Sequence, residues 1–284
     1  MLFSAKAILA KLIYQYPVDA ITLMALRMMF SFPVFLLIAL RSQWRARAEP
    51  WPRDVYWRIV LIGFLGYYLS SFLDFWGLAY IPAALERLIL FLGPTAVLLL
   101  GALFFGKRIQ SRQWRAMAWC YLGIVLVFAE QFSLAGSSVG FGSLLVFLAM
   151  ICYSLYLLLS GELVQTFGTL RLVALAMCVS TVLTMAHFLI LKSPGQLLQP
   201  SPVIMLSIIN AVFCTIIPVL LTMMAVARIG AARTSQLSAV GPVSLLFLGH
   251  WLLDEPITLL QCAGTAVVLY GVYVLTRPSQ PMGQ

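Results

Sequence analysis

Residues 202–226 read PVIMLSIINAVFCTIIPVLLTMMAV. The run contains no Asp, Glu, Lys or Arg, and it exceeds the about 20 residues a helix needs to cross the hydrocarbon of a bilayer. Its apolar and polar side chains do not alternate, as they would in a lipid-facing barrel strand. Within hydrocarbon every backbone N–H and C=O must be bonded internally, so a run of this kind is a membrane-spanning helix.

The same composition continues outward in both directions. Of the 284 residues, 62% are apolar and 10% charged, whereas a soluble domain carries about 25% charged residues. Such a surface has to be covered by lipid. Apolar runs separated by short polar breaks place spans at 2–16, 20–40, 58–79, 83–105, 115–130, 139–160, 170–191, 202–226, 232–252 and 257–276. The first run is short for a span: either the start lies upstream, or the amino end sits inside the protein. It carries Lys6 and Lys11 and no small-residue cleavage site, which reads against a cleavable signal peptide. All five cysteines (Cys120, Cys152, Cys178, Cys214 and Cys262) lie in apolar runs without metal-ligand spacing, and read as small buried hydrophobes.

The net charge of +9 would point to nucleic acid in a soluble protein. Here the basic residues gather in short breaks. With both termini cytoplasmic, the inner loops hold Arg41, Arg45, Arg47, Arg53, Arg58, Lys107, Arg108, Arg112, Arg115, Arg171, Arg228, Arg233 and Arg277, while the outer loops hold Lys192, Asp19, Asp254 and Glu255. That asymmetry follows the positive-inside rule. The expected location is therefore multi-pass in a plasma membrane, here a bacterial inner membrane, with lipid and not nucleic acid as the partner.

The two halves resemble each other at a spacing of 148 residues. Ala79-Tyr80-Ile81-Pro82-Ala83-Ala84 matches Ala227-Arg228-Ile229-Gly230-Ala231-Ala232, and Gly93-Pro94 matches Gly241-Pro242. Gly101 and Gly249, Ile109 and Ile257, Gln113 and Gln261, and Gly123 and Gly271 stay in the same register. Five spans per half is an odd number, so the second copy enters the membrane the other way up. The predicted fold class is an all-α integral membrane protein with ten transmembrane helices as two inverted five-helix repeats. The first repeat is expected over 1–130 and the second over 139–276, with a cytoplasmic tail at 277–284. Inverted halves can exchange shapes, which gives two openings of similar energy and a solute site near the midplane.

The stretch from Ala79 to Ile109, AYIPAALERLILFLGPTAVLLLGALFFGKRI, and its counterpart ARIGAARTSQLSAVGPVSLLFLGHWLLDEPI resemble the drug/metabolite transporter superfamily of the EamA-domain type. Asp254-Glu255-Pro256 and Tyr153-Ser154-Leu155-Tyr156 fit the same pattern. The resemblance covers nearly the whole chain. It implies a ten-helix basket whose cavity is lined mainly by spans one, three, four, six, eight and nine. It also implies export or exchange of small metabolites, amino acids or drug-like solutes among them. Gly106-Lys107-Arg108 departs from the family's usual Gly-Glu, which leaves the role of that acidic position open.

Ionisable residues inside spans are costly and mark functional sites. Lys6, Lys11, Arg27, Asp74, Glu86 and Arg87 all fall in the first half, whereas the second offers Asn210, Gln236, His187 and His250. Four positive against two negative charges favour an anion or a carboxylate-bearing zwitterion. Ser70 lies one turn before Asp74 and shares its face. Asp74 or Glu86, if burial favours its protonated form, could carry a coupling proton. Asp74 could equally pair with Lys6 or Arg27 to hold spans together, while Arg27 and Lys11 could snorkel. Gly93-Pro94 and Gly241-Pro242 interrupt spans four and nine at matching places, the best sequence pointer to a transport site. Pro33 and Pro218 lack that symmetry and read as kinks. Tyr67, Tyr68, Trp76, Phe91, Tyr153 and Tyr156 are candidates for an amphipathic wall. Gly264 and Gly271 form a small seam for another helix, either within the chain or in a homodimer.

The substrate-binding or coupling set is thus Lys6, Arg27, Ser70, Asp74, Glu86, Arg87, Tyr153, Tyr156, Asn210 and Gln236. No cofactor or metal is expected, and no phosphate loop or catalytic His pairing is present to make an enzyme. The alternative classes are a passive channel and a non-transporting receptor or scaffold, against which the short loops weigh.

Overall fold

The computed structural model describes residues 2–46, 53–106, 109–128, 137–237 and 259–276. Every regular element among them is helical. The first half contains α1 (Leu2–Ile13), α2 (Ala20–Ala46), α3 (Arg53–Gly63), a π-helical segment π1 (Phe64–Leu69), α4 (Ser70–Leu78), α5 (Ala83–Leu90), α6 (Gly93–Phe105) and α7 (Ser111–Phe128). The second contains α8 (Ser137–Phe167), α9 (Thr169–Leu191), α10 (Ser201–Ala211), π2 (Val212–Ile216), α11 (Ile217–Ile229), α12 (Ala231–Leu237) and α13 (Leu259–Thr276).

Among the described residues, five stretches are long and apolar enough to cross a bilayer: Ala20–Ser42, Val55–Leu78, Ser138–Gln165, Thr169–Leu191 and Ser201–Ile229. Shorter apolar helices occupy Gly93–Phe105 and Cys262–Gly271. Large apolar side chains such as Leu40, Leu103, Val182 and Ile190 face outward. On a water-soluble protein so much exposed hydrocarbon would drive association; on this one it meets lipid. The chain is a multi-pass membrane protein.

The spacing of 148 residues carries over to the elements. Arg53 begins α3 and Ser201 begins α10; Gly63 and Ala211 end them. The π segments start at Phe64 and Val212, α5 and α12 at Ala83 and Ala231, and α7 and α13 at Ser111 and Leu259. The packing repeats too. Helix α2 packs on α9 and α7 on α13, each on its own counterpart, while α3 packs on α9 as α10 packs on α2. A reciprocal exchange of this kind is what a two-fold axis between similar units produces.

Close backbone approach fixes the α7–α13 crossing. A Cβ on Gly123 would lie 2.5 Å from the carbonyl oxygen of Gly264, so the small-residue seam of the last helix is used inside the chain at that point. Asp19 caps α2 by accepting the N–H of Thr22 at 3.0 Å. Its other oxygen meets Lys192 Nζ at 2.7 Å, tying the α1–α2 turn to the end of α9.

Three expectations are refined. The run 83–105 is two helices, broken by a turn at Phe91 and Leu92, with Pro94 in the first turn of α6. Pro94 has no N–H to give the carbonyl of Leu90, so the ladder cannot continue across the break. Helices α2 and α8 run past their expected ends, to Ala46 and Phe167. Pro218 sits in the first turn of α11 just after π2, whereas π1 is followed by Ser70: the local irregularity is symmetric although the proline is not. Gly241, Pro242, His250, Asp254, Glu255, Lys107, Arg108, the junction at 131–136 and the tail at 277–284 lie outside the described residues, as does the side chain of Gln236.

Candidate functional site

A cavity of about 210 Å3 lies between the halves. Helix α1 brings Lys6 to it, and Tyr14 helps hold that helix by donating its hydroxyl to the carbonyl of Phe75 at 2.7 Å. Helix α2 contributes Arg27; π1 and α4 contribute Gly66, Tyr67, Ser70, Ser71 and Asp74. Arg87, Phe91, Gly93 and Pro94 come from either side of the break between α5 and α6. Across from them stand Met150, Tyr153, Ser154 and Leu157 of α8, Cys214 and Thr215 of π2, Val219 and Thr222 of α11, and Ser235 of α12.

Both π segments reach the cavity, for a physical reason. An i→i+5 turn inserts one residue into the helix, bulges the backbone and rotates the turns after it. The hydroxyl of Thr215 donates to the carbonyl of Asn210, five residues back, at 3.3 Å. In π1 the backbone comes so close to α8 that a Cβ on Gly66 would collide with the Tyr156 ring. Beside it the Tyr67 and Tyr156 hydroxyls are 3.0 Å apart, and their rings meet edge-on at 5.0 Å between centroids.

The charges are confined and mostly paired. The Lys6 ammonium donates to Asp74 Oδ2, and Arg87 Nε stands 3.2 Å from Glu86 Oε2. Asp74 is 2% exposed and Glu86 is 0% exposed. A buried ion pair of this kind adds little net stability, yet removing one partner costs about 3–5 kcal/mol, because the other charge is stranded. Arg27 is 3% exposed and stacks on the Phe75 ring at 4.9 Å, but Nε and Nη2 are buried without a hydrogen-bond acceptor. None of the ion pairs among the described residues includes it.

Of the residues singled out in the sequence, Lys6, Arg27, Ser70, Asp74, Arg87, Tyr153, Gly93 and Pro94 line this one cavity. Glu86 and Tyr156 are buried behind its wall against Arg87 and Tyr67. Asn210 is fully buried away from the lining, with neither side-chain polar atom bonded. Tyr68 and Trp76, candidates for the amphipathic wall, point elsewhere: Tyr68 Oη lies 3.1 Å from His187 Nδ1, and Trp76 is exposed against Phe141. Sequence reasoning missed Ser154, Thr222 and Ser235. They stand 148 positions after Lys6, Asp74 and Arg87, so the repeat, applied to each charged position, would have named them. Gly66 and Tyr67 likewise share the lining with Cys214 and Thr215, 148 positions later. Among the described residues no three His, Cys, Asp or Glu come together as a metal site needs.

The sequence profile of the EamA-like transporter family matches residues 1–129 and 140–277. The chain belongs to the EamA-like transporter family. The uncharacterized transporter YcbK of Bacillus subtilis (strain 168) is similar to this EamA protein, at 28% identity over 288 residues, covering 95% of this chain and 88% of that one. An uncharacterized transporter of Archaeoglobus fulgidus is 24% identical over 249 residues, covering 87% and 83%. A protein of known crystal structure shares the fold at a TM-score of 0.74 and 17% identity, over 97% of this chain and 95% of its own. This EamA-family chain is a membrane transporter.

Proposed function

We infer that this protein is a secondary-active carrier that moves a small solute by alternating access. It has ten spans as two inverted five-helix halves, in a plasma membrane with both termini cytoplasmic. The observation that carries the reading is the cavity wall. Equivalent positions of the two halves line it together: Lys6 and Ser154, Gly66 and Cys214, Tyr67 and Thr215, Asp74 and Thr222, Arg87 and Ser235. A site on the pseudo-axis is the one place a solute can stay bound while the halves exchange shapes.

At about 210 Å3 the cavity is smaller than the roughly 300–1,000 Å3 of sites for drug-sized ligands. Its size fits a compact metabolite, and its excess of positive charge fits an anion or a carboxylate-bearing zwitterion. Energy comes from a gradient or from exchange. Protons are the coupling ion in this reading, carried by Asp74 or Glu86, and export or exchange is the direction.

Reconstitution in liposomes tests it. Uptake of a transported solute should saturate and be accelerated by the same solute inside. Linear uptake without that acceleration would indicate a channel. Asp74→Asn should abolish pH-driven uptake while the protein elutes as folded; full pH-driven uptake in that variant would transfer the coupling role to Glu86.

A further inference from the structure

Among the described residues, the charges that line the cavity all come from the first half. Lys6, Asp74 and Arg87 have Ser154, Thr222 and Ser235 as counterparts. A symmetric frame thus carries an asymmetric wall: both halves bear hydroxyls, but among the described residues only the first half adds charges. A solute with one charged end and one neutral, hydrogen-bonding or apolar end can bind it in a single orientation.

The charge count narrows the solute further. Lys6, Arg27 and Arg87 contribute three positive charges, and Asp74 and Glu86 two negative ones. Lys6 is taken by Asp74, and Arg87 faces Glu86. Lys11, in the last turn of α1, is partly exposed and is not in the cavity wall. What remains is Arg27, almost wholly buried, with two guanidinium nitrogens lacking any acceptor. A buried cation outside any ion pair and with unbonded donors is costly, and the Phe75 face compensates only in part. A planar carboxylate matches the guanidinium fork.

We propose that the substrate is a compact organic monocarboxylate without an ammonium group, held by Arg27 through its carboxylate, with its neutral end toward Ser154, Thr222 and Ser235. A monoanion brings the buried cluster to neutrality. An amino acid is neutral overall and leaves the excess positive charge in place; Asp74 Oδ1 is unbonded, but an ammonium would have to reach it beside Lys6, which already holds Oδ2, and near two further cations. This assignment rests on the carrier reading above and deepens it.

Two matched pairs test it: lactate against alanine, and phenyllactate against phenylalanine, in each of which a hydroxyl replaces an ammonium. Their effect on the melting temperature of the purified full-length protein and on counterflow in liposomes is measured. The hydroxy acid of at least one pair should act at about tenfold lower concentration than its amino acid, since one uncompensated charge separates them. Arg27→Gln should weaken it roughly thirtyfold or more, as loss of one partner of a buried charged contact does. Arg27→Lys keeps the charge without the fork and should bind less tightly than wild type. Lys6→Met removes one positive charge and frees Asp74, so preference should swing toward the amino acid. Wild-type protein that prefers the amino acids, or responds to neither hydroxy acid, would overturn the monocarboxylate assignment. Counterflow of alanine or phenylalanine in that same experiment would leave the carrier reading standing. Non-saturating leak of every probe would overturn both.

Discussion

At the scale of single residues, the molecule separates charges by burial. The pair of Asp19 and Lys192 lies at a turn outside the spans. Burial pushes the Asp19 carboxyl up, but the Lys192 ammonium and the Thr22 hydroxyl and N–H together hold it below its ordinary value of 3.8. A carboxyl depressed on folding stabilises above its unfolded pKa, and that contribution is lost as pH falls through the folded value. Lys192→Met should therefore lower the melting temperature slightly at pH 7, with the gap to wild type closing below pH 3.8. A gap that persists in acid would show the contact to be packing. The pair is exposed, so the effect is small, on the order of 1 kcal/mol or less. Inside the cavity the same chemistry is harder to remove, because a charge stranded there is buried. The identities of Lys6, Arg27, Asp74 and Arg87 were legible from composition, since charge in hydrocarbon is conspicuous. Their pairing was not. Sequence left Asp74 free to meet Lys6 or Arg27, and three-dimensional placement chose Lys6, leaving Arg27 outside the ion pairs among the described residues.

At the scale of elements, the two π segments set which side chains face the cavity. They carry no composition signal, because an inserted residue among apolar neighbours changes neither hydropathy nor charge. The break between α5 and α6 was legible because Pro94 lacks an N–H, although the sequence marked an interruption within one span and the structure has two helices. Deleting Leu65 should convert π1 into a regular α-turn and rotate α4 by about 100° relative to α3. Asp74 would leave the cavity wall. The expected result is a helical, membrane-inserted protein whose circular dichroism resembles wild type but which shows no saturable uptake. Retention of wild-type uptake would mean that the bulge does not aim these residues.

At the scale of the whole molecule, the repeat organises everything else. Its register was readable from a few small residues, Gly93, Gly101 and Gly123 with their partners, and at Gly123 the reason is close approach of two backbones. Gly123 against the Gly264 backbone shows that constraint at work. Duplication explains why the frame is symmetric, and the cluster of charges in one half shows where the copies have specialised. The walls facing lipid need only be apolar, so they carry little information beyond membrane insertion. The cavity is lined by equivalent positions of both copies, which is why the repeat was the more informative signal.

The opposed insertion of the two halves is tested most directly by labelling from one side of the membrane. In a background without native cysteines, Ala48→Cys lies between α2 and α3, and Gln196→Cys lies 148 positions later, between α9 and α10. On intact cells, a membrane-impermeant thiol reagent should label Gln196→Cys and leave Ala48→Cys unlabelled until the membrane is opened. Labelling of both, or of neither, from the outside would put the two positions on the same face and contradict the inverted architecture on which the transport cavity depends.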